Sequence, residues 1–288
     1  MQAFAYQRPA SVAEAVALLD EHGPEARVLA GGTDLIIRLR DGTARPSLLV
    51  DIKRIPELRP GIVEHDGVVS IRAGTVMTEV AADDVTRRHF PALVEAAAVV
   101  GSLQIRNRAT LVGNVCNASP AADTAPPLLV YGAVLVISGP GGERRLRLDD
   151  FFVKSGQTRL GRGELVTSIE LPMPMTRLGA THVRRTRRRG HDLASVTLCC
   201  AVDDRRVTRM AYGSVGPRPY LVVDESGLLA DPAAPAAEKA AAFEGLFAAA
   251  SPSPGSMRAT PEYRLAMLRV LGWRALRSAM ARLAEAAP

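Results

Sequence analysis

The chain has 288 residues, a formal net charge of +6 and 47% hydrophobic residues, a composition typical of a folded globular protein long enough for two domains. These values exclude an intrinsically disordered chain, and no stretch approaches the roughly 18 consecutive apolar residues of a membrane span. The N-terminus lacks a cationic segment followed by an apolar one, so we expect no secretory signal and a cytoplasmic protein.

The aromatic residues and the cysteines argue against two further classes of protein. Aromatic residues make up 4% of the chain, too few for the base stacking used in single-stranded nucleic-acid binding, so we predict no nucleic-acid partner. Cys116, Cys199 and Cys200 cannot supply the four thiolates of an iron–sulfur cluster, and their spacing matches no structural zinc site. We therefore predict no metal site in this chain, and any redox role must come from a bound organic cofactor.

The first sixty residues predict a compact α/β unit. Ser11-Val12-Ala13-Glu14 fits the S-x-x-E capping box, and apolar residues at helical spacing follow until His22-Gly23-Pro24. A strand is predicted over 27–30, followed by a glycine turn and a short helix. Residues 47–52 predict a second buried strand.

The middle of the chain alternates between strand and helix patterns. Residues 67–79 predict a strand, 91–101 a helix, 139–145 a hairpin turn and 165–171 another strand. The stretch 104–137 begins polar and rich in Gly, Asn and Pro, and it ends in a hydrophobic helix and strand.

The pattern changes after Pro172–Pro174, where we predict a domain boundary. Residues 193–202 and 206–215 predict two strands about a turn, and 236–250 and 261–285 predict helices. Strands followed by helices favour an α+β layer, a small antiparallel sheet with helices on one face.

One candidate site is the stretch Ala30-Gly31-Gly32-Thr33-Asp34, between a predicted strand and a predicted helix. Successive backbone N–H groups in such a turn can bind an anion, and the helix N-terminus adds partial positive charge. A plain strand–turn–helix with Thr33 or Asp34 as N-cap explains the same residues. The stretch is neither a Rossmann fingerprint nor a P-loop, and taken alone it leaves both interpretations open.

A second candidate is the polar stretch from Thr110 to Asp123. Thr110, Asn114 and Asn117 can form hydrogen bonds with diphosphate or hydroxyl groups, and Asp123 can accept one from a sugar hydroxyl. An ordinary structural loop is an equally good interpretation of this stretch alone.

Together, the two stretches resemble the FAD-binding medium subunit of the molybdenum hydroxylases, the group of xanthine dehydrogenase and carbon monoxide dehydrogenase. The matching residues are Gly-Gly-Thr-Asp at 31–34, Arg-Asn-x-Ala-Thr-Leu-x-Gly-Asn at 106–114 and Ala-Ser-Pro-x-x-Asp at 118–123. The resemblance covers nearly the whole chain, because it includes GELVTSIELP (163–172), RRRGHDLASV (187–196), GSVGPRP (213–219) and the PEYRLAML helix.

The resemblance implies a fold and a set of cofactor-binding residues. FAD would lie between the two α/β subdomains of a p-cresol-methylhydroxylase-like fold, with its diphosphate held by two glycine-containing loops. The ribityl–adenosine portion would contact Asn117 and Asp123, and the isoalloxazine would lie near Leu165 or Val166 and near the basic position Arg184. The full implied set is Ala30, Gly31, Gly32, Thr33, Asp34, Leu35, Thr110, Gly113, Asn114, Cys116, Asn117, Asp123, Leu165, Val166 and Arg184.

Two departures from the family pattern affect the prediction. Val112 replaces the first glycine of the usual T-I-G-G-N, so either its side chain points away from the diphosphate or the loop is remodelled. The family's carbon monoxide dehydrogenases read A-G-G-H-S-L, whereas this chain has Thr33-Asp34 in that motif. The second departure favours an N-heterocycle, a purine or a related compound over carbon monoxide as the substrate of the assembly.

The basic run Arg184–Arg189 has two competing interpretations. It is either a solvated surface patch or a segment that contacts the flavin or a docking partner, and Asp192 is expected to fix it by pairing with one of the arginines. None of the histidines stands in a setting that indicates a covalent flavin link, so we expect non-covalent FAD.

The sequence thus predicts an α+β protein with an FAD-binding domain over 1–175 (subdomains 1–58 and 59–175) and a C-terminal α+β domain over 176–288. By resemblance, the chain relays electrons from 2Fe–2S clusters of a small partner subunit through FAD to a terminal acceptor. The resemblance also implies that these electrons come from a substrate oxidised at the molybdopterin of a large subunit, in an (αβγ)2 assembly. The alternative is a stand-alone FAD-dependent oxidoreductase of the same fold.

Overall fold

The first part of the chain forms a three-stranded parallel sheet with two helices. The computed structural model describes residues 2–188 and 190–285. The strands are β1 (Ala5–Gln7), β2 (Ala26–Leu29) and β3 (Leu48–Asp51), in the order β1-β3-β2. Helix α1 (Val12–His22) begins as predicted, because the Ser11 hydroxyl accepts from the Glu14 N–H at 3.1 Å. Helix α2 (Leu35–Arg40) follows the double glycine.

Five short helices and a hairpin follow. The hairpin is β4 (Ile62–His65) and β5 (Val68–Arg72), and the helices are α3 (Met77–Ala82), α4 (Asp84–His89), α5 (Pro91–Ala98), α6 (Leu103–Arg106) and α7 (Leu111–Cys116). The predicted strand over 67–79 is therefore wrong in its second half. Strand β5 ends at Arg72, and helix α3 begins at Met77. Between them the chain packs closely against Leu58, since a Cβ on Gly74 would lie 2.4 Å from the Leu58 carbonyl oxygen.

A five-stranded antiparallel sheet completes the N-terminal part. Its further elements are α8 (Ala125–Val130), β6 (Val134–Gly139), β7 (Gly142–Arg147), α9 (Leu148–Phe151), β8 (Phe152–Lys154), β9 (Gln157–Thr158) and β10 (Leu165–Pro172). The strand order is β4-β5-β10-β6-β7, with β8 and β9 paired separately. A hairpin joins β6 to β7 where one was predicted, but its turn is shorter than 139–145, because β6 ends at Gly139 and β7 begins at Gly142.

The C-terminal part is a four-stranded antiparallel sheet with two helices. Strands β11 (Leu178–Arg185), β12 (Val196–Asp203), β13 (Thr208–Gly213) and β14 (Tyr220–Asp224) pair in chain order. Helices α10 (Ala236–Gly245) and α11 (Pro261–Glu285) follow, so the predicted helix over 261–285 is confirmed. Strands β11 and β14 were not predicted. None of the helices in the described ranges has both the length and the apolarity of a membrane span.

Both faces of the four-stranded sheet are buried. Cys199 belongs to the hydrophobic cluster that it shares with the N-terminal part, whereas Cys200 belongs to the cluster formed with α10 and α11. Successive strand residues point to opposite faces, so a strand buried on both sides is a continuous apolar run. This explains the sequence TLCCAV and places both thiols in the core.

The contact between β11 and α11 generates a prediction for stability. A Cβ on Gly179 would lie 2.0 Å from the Ala279 carbonyl oxygen and 2.4 Å from the Leu283 nitrogen, both backbone atoms. Gly179→Ala is therefore expected to lower the free energy of unfolding by about 3 kcal/mol, measured by urea denaturation. Gly245→Ala is the control, because nothing lies within 4 Å of its Cβ position. An equal loss in both variants would contradict this close packing.

Candidate functional site

A cleft of about 680 Å³ lies between the parallel sheet and the five-stranded sheet. Its walls come from residues 19–52 on one side and 73–166 on the other. Both polar stretches singled out in the sequence line it. The predicted site residues among its lining are Ala30, Gly31, Gly32, Thr33, Asp34, Leu35, Thr110, Gly113, Asn114, Cys116, Asn117, Leu165 and Val166.

The first loop, Ala30–Asp34, uses its two glycines for different purposes. A Cβ on Gly31 would lie 1.9 Å from the Arg108 carbonyl oxygen, so this glycine lets the second loop pack against the first. Gly32 has φ +75°, a left-handed conformation that turns the chain into α2. Within the described ranges, the N–H groups of Gly31 through Asp34 donate to no protein acceptor. These groups remain as donors on the cleft wall.

The second loop is fixed by its own threonine. The Thr110 hydroxyl caps α7 by accepting from the Gly113 N–H at 3.1 Å. Asn114 accepts a hydrogen bond from the Thr124 hydroxyl at 2.7 Å through its side-chain oxygen, which leaves its amide N–H groups as donors. Asn117 accepts from Nη2 of Arg38 at 2.6 Å, and this hydrogen bond joins the two loops.

Arg38 is a site residue that the sequence analysis missed. It lies one helical turn after Asp34, and its guanidinium bridges to Asn117 across the cleft. The sequence pattern that could have indicated Arg38 is its i, i+4 spacing from Asp34, the N-cap of α2, which places the two side chains on the same side of this helix. Arg27 and Arg162 also line the cleft, whereas Asp34 and Glu164 are the carboxylates among its described lining residues. Its walls therefore favour an anionic ligand.

The apolar part of the cleft is formed by Val112, Leu165 and Val166. Val112 is buried in the hydrophobic core, and helix α7 begins regularly at Leu111. Strand β10 carries a register shift between Val166 and Ser168, next to the cleft. Burial raises the pKa of the Cys116 thiol to about 12, so it remains a neutral lining group.

Comparisons with known proteins agree with this geometry. Residues 2–174 match the FAD binding domain in molybdopterin dehydrogenase, and residues 181–279 match the CO dehydrogenase flavoprotein C-terminal domain. The chain belongs to the FAD-binding medium subunits of the molybdenum hydroxylases. It is 35% identical to the xanthine dehydrogenase FAD-binding subunit of Escherichia coli O157:H7 over 219 residues, covering 74% of this chain and 75% of that one.

A second relative matches along the full length. The carbon monoxide dehydrogenase medium chain of Hydrogenophaga pseudoflava is 34% identical over 288 residues, with 98% of each chain covered. A solved structure of carbon monoxide dehydrogenase from the same organism aligns with a TM-score of 0.88 at 30% identity, covering 98% of both chains. The fold class expected from the sequence is thus confirmed, and the chain is an oxidoreductase subunit.

The cleft fits FAD by the chemistry of its donors. Its two loops combine unpartnered backbone N–H groups, the amide donors of Asn114 and the Arg38 guanidinium, which are the groups that bind a diphosphate. The buried side chains of Leu165 and Val166 suit an aromatic ring system. None of the five histidines of the medium subunit lines the cleft.

The structure places Asp123 and Arg184 elsewhere than the other predicted site residues. They do not line the cleft; Nη1 of Arg184 donates instead to Oδ2 of Asp123 at 2.5 Å and to the Val99 carbonyl at 3.1 Å. Burial raises the pKa of Asp123, although the Arg184 charge opposes this. A direct contact of either residue with FAD stays a prediction, and in the structure they join β11 to the segment that follows α7.

The basic run expected at 184–189 divides into separate environments. Arg184 is paired as described, whereas Arg187 approaches the carboxylate of Asp192, with its Nη2 3.8 Å from Oδ1. The Arg187 N–H also donates to Asp192 at 3.1 Å, so Asp192 holds this segment as predicted. Arg189 lies outside the described residues.

The loop junction generates a prediction for cofactor binding. Gly31→Ala places a Cβ against the Arg108 carbonyl, so the two loops must separate. We expect FAD affinity to fall by about 100-fold, corresponding to roughly 3 kcal/mol of overpacking, measured by quenching of flavin fluorescence. Gly141→Ala is the control, since its Cβ position is open and it does not line the cleft. Unchanged affinity in Gly31→Ala would show that the junction does not shape the site.

The buried pair Arg184–Asp123 generates a pH-dependent prediction. Arg184→Gln leaves a buried carboxylate without its cation and is expected to lower the free energy of unfolding by about 3 kcal/mol at pH 8. Burial holds the pKa of Asp123 above its unfolded value, and loss of Arg184 raises it further. The folded variant then binds more protons than the unfolded chain, so its stability falls as the pH rises.

The loss is therefore expected to be smaller at pH 5 than at pH 8. Arg184→Lys keeps a cation and should retain most of the stability, whereas Arg145→Gln removes an exposed partner of Glu170 and should cost less than about 1 kcal/mol. Urea denaturation at both pH values measures the effect. Equal losses at pH 5 and pH 8 would rule out an unpaired Asp123 as the cause.

Proposed function

We propose that this medium subunit takes electrons from 2Fe–2S clusters of a small partner subunit and delivers them, through its non-covalently bound FAD, to a terminal acceptor. The organic substrate is oxidised at the molybdopterin of a large partner subunit. The observation that supports this most strongly is the cleft itself, which carries diphosphate donors on both loops. The chain around it matches the family over residues 2–174 and 181–279.

The need for partner subunits follows from the chemistry of this chain. Its three cysteines are too few for a 2Fe–2S cluster, and Cys199 and Cys200 are buried on opposite sides of β12. In the described ranges, no group of three or more His, Cys, Asp or Glu residues could hold a metal ion. We infer that both metal centres belong to other subunits, in an (αβγ)2 assembly, and a cytoplasmic location stays a prediction.

Individual residues have distinct proposed roles toward FAD. The N–H groups of Gly31 to Asp34 and the loop Thr110–Asn114 hold the diphosphate, Leu35 and Cys116 complete these walls, and Asn117 binds the ribityl–adenosine portion. Leu165 and Val166 cover the ring and exclude water from it. Bound FAD supplies a centre that can accept electrons singly and release them singly or in pairs.

We also propose a division of the chain that follows its sheets. The FAD-binding domain covers 1–175, with subdomains 1–58 and 59–175 that carry the parallel and the five-stranded sheet, and the C-terminal domain covers 176–288. This division is supported by the interval between β10, which ends at Pro172, and β11, which begins at Leu178. Residues 286–288 lie outside the described ranges.

The alternative, a stand-alone FAD-dependent oxidoreductase, would require a proton donor or acceptor beside the ring. Glu164 lines the cleft, but Arg144 binds it through two hydrogen bonds of 2.6 and 2.7 Å and holds the pKa of its carboxyl below the usual range. Burial keeps the Cys116 thiol protonated. Glu164 and Cys116 are therefore poorly suited to acid–base catalysis beside the ring. This favours a relay subunit over a stand-alone oxidoreductase.

The proposed substrate class is an N-heterocycle, a purine or a related compound. Thr33 and Asp34 support it, because they line the cleft in the motif that differs from the carbon monoxide dehydrogenase pattern. The similarity to the xanthine dehydrogenase subunit of Escherichia coli agrees with this choice, whereas the similarity to the Hydrogenophaga pseudoflava medium chain favours carbon monoxide.

Co-expression with candidate large and small subunits from the same organism tests the function. We expect the three chains to copurify with FAD, and xanthine or quinoline to bleach the flavin bands under anaerobic conditions, whereas carbon monoxide should not. A complex that carries Gly31→Ala is the control, because it should keep the metal centres and lose the flavin signal. A chain that neither binds FAD nor associates with partners would overturn the function. Bleaching by carbon monoxide alone would overturn only the substrate class.

A further inference from the structure

A second concave surface lies in the C-terminal part, where the loop after β11 approaches the start of α11. It encloses about 420 Å³, and none of its eight described lining residues is acidic. We call it the arginine pocket and define it by Arg185, Thr186, Arg187, Arg258, Thr260 and Tyr263. None of these residues lines the FAD cleft.

The arginines of this pocket are poorly compensated. The Arg258 guanidinium donates to no acceptor in the part of the chain that the structure describes. Arg185 uses only its Nε, which donates to the Tyr263 hydroxyl at 3.0 Å, and both terminal nitrogens keep their donors. Arg187 lies 3.8 Å from the Asp192 carboxylate, beyond hydrogen-bond distance. Three guanidiniums therefore offer donors to one small volume.

A fourth arginine adds charge behind the pocket. Arg264 is 6% exposed and donates to the Ser214 carbonyl and the Ser256 hydroxyl, both neutral, with no described carboxylate in salt-bridge range. Burial, aided by the nearby charge of Arg258, lowers the pKa of Arg264. The 25-residue helix α11 also begins here, and its N-terminus contributes partial positive charge, although Glu262 in its first turn offsets part of it. An anion would relieve this mutual repulsion of cations.

We propose that the arginine pocket binds a phosphate-bearing small molecule of the nucleoside diphosphate class. Guanidinium groups bind phosphate oxygens through paired hydrogen bonds, and the terminal nitrogens of Arg185 and Arg258 keep the donors for such contacts. The volume lies within the roughly 300–1,000 Å³ of small-molecule sites. Tyr263 is 39% exposed and supplies the pocket with an aromatic side chain for a base.

A small ligand fits this surface better than a polymer. Single-stranded nucleic acids require a long basic groove with several aromatic side chains, whereas Tyr263 is the one aromatic residue among the described lining residues. The proposed site is separate from the FAD cleft and does not depend on the electron relay.

Isothermal titration of the FAD-saturated full chain tests the site, because saturation prevents nucleotides from entering the FAD cleft. Inorganic diphosphate, ADP and NAD⁺ are the probes, at low and at high salt. We expect diphosphate and ADP to bind, with weaker binding at high salt. Arg258→Gln should weaken ADP binding about tenfold or more, because a hydrogen bond to a charged group is lost. Its FAD content should stay unchanged.

Arg274→Gln is the matched control, since it removes the same charge from an exposed position of α11 outside the pocket. Equal binding of ADP and NAD⁺ would support a nucleoside diphosphate as the ligand. Binding of inorganic diphosphate without binding of ADP would show that the pocket recognises phosphate groups only, and it would contradict the nucleoside class. Absence of binding by all probes, or equal weakening in both variants, would overturn the proposal. It would also be overturned if short polyglutamate bound and ADP failed to compete, since the partner would then be an acidic protein segment.

Discussion

The close approach of Gly31 to the Arg108 carbonyl is the contact on which the cofactor cleft depends. It joins the loop after β2 to the segment that precedes α7, and the position where a Cβ on Gly31 would be lies 1.9 Å from that oxygen. The hydrogen bond between Arg38 and Asn117 joins the same two loops at a second point. The double glycine therefore serves both interpretations left open by the sequence. Gly31 packs against protein, and Gly32 turns the chain into α2 while N–H donors remain along the loop.

The C-terminal domain supports the cleft although none of its described residues lines it. The Ser214 N–H donates to the Pro120 carbonyl at 2.7 Å, and Arg184 holds Asp123 from β11. The next residue, Thr124, donates to Asn114 at 2.7 Å on the cleft wall. A chain of short polar contacts thus extends from the C-terminal sheet to a proposed FAD ligand. Changes in β11 can reach the cofactor site by this route without contacting FAD.

Elements whose sequence pattern lies within one helix were predicted, whereas elements defined by contacts with distant residues were not. The capping box at Ser11 and the helical spacing in α11 lie within single elements, so both helices were predicted. Strand β11 was missed because its sequence mixes a glycine, a histidine and arginines. Its buried His182 is neutral, with its pKa lowered to about 3, and Nε2 lies 3.0 Å from the Thr197 hydroxyl of the neighbouring strand. Only the assembled sheet shows that this polar pattern is a core strand.

The same distinction applies to the site. The two loops were predicted by resemblance, because their residues are contiguous in sequence. The pairing of Asp123 with Arg184 was not predicted, since the two residues come from different parts of the chain and each charged side chain suited a ligand equally well. The role of Gly31 could not be predicted for the same reason. Its partner is the backbone carbonyl of Arg108, and a contact with backbone atoms does not depend on the identity of the partner residue.

Fixed charge distinguishes this cleft from a site of acid–base catalysis. Arg144 holds the pKa of Glu164 below its usual range, and burial holds that of the Cys116 thiol near 12, so neither group changes its charge near neutral pH. Groups of fixed charge suit the binding of a diphosphate and give a bound ring a constant electrostatic environment. The proposed relay function is consistent with this, because a subunit that only passes electrons needs no acid–base group of its own.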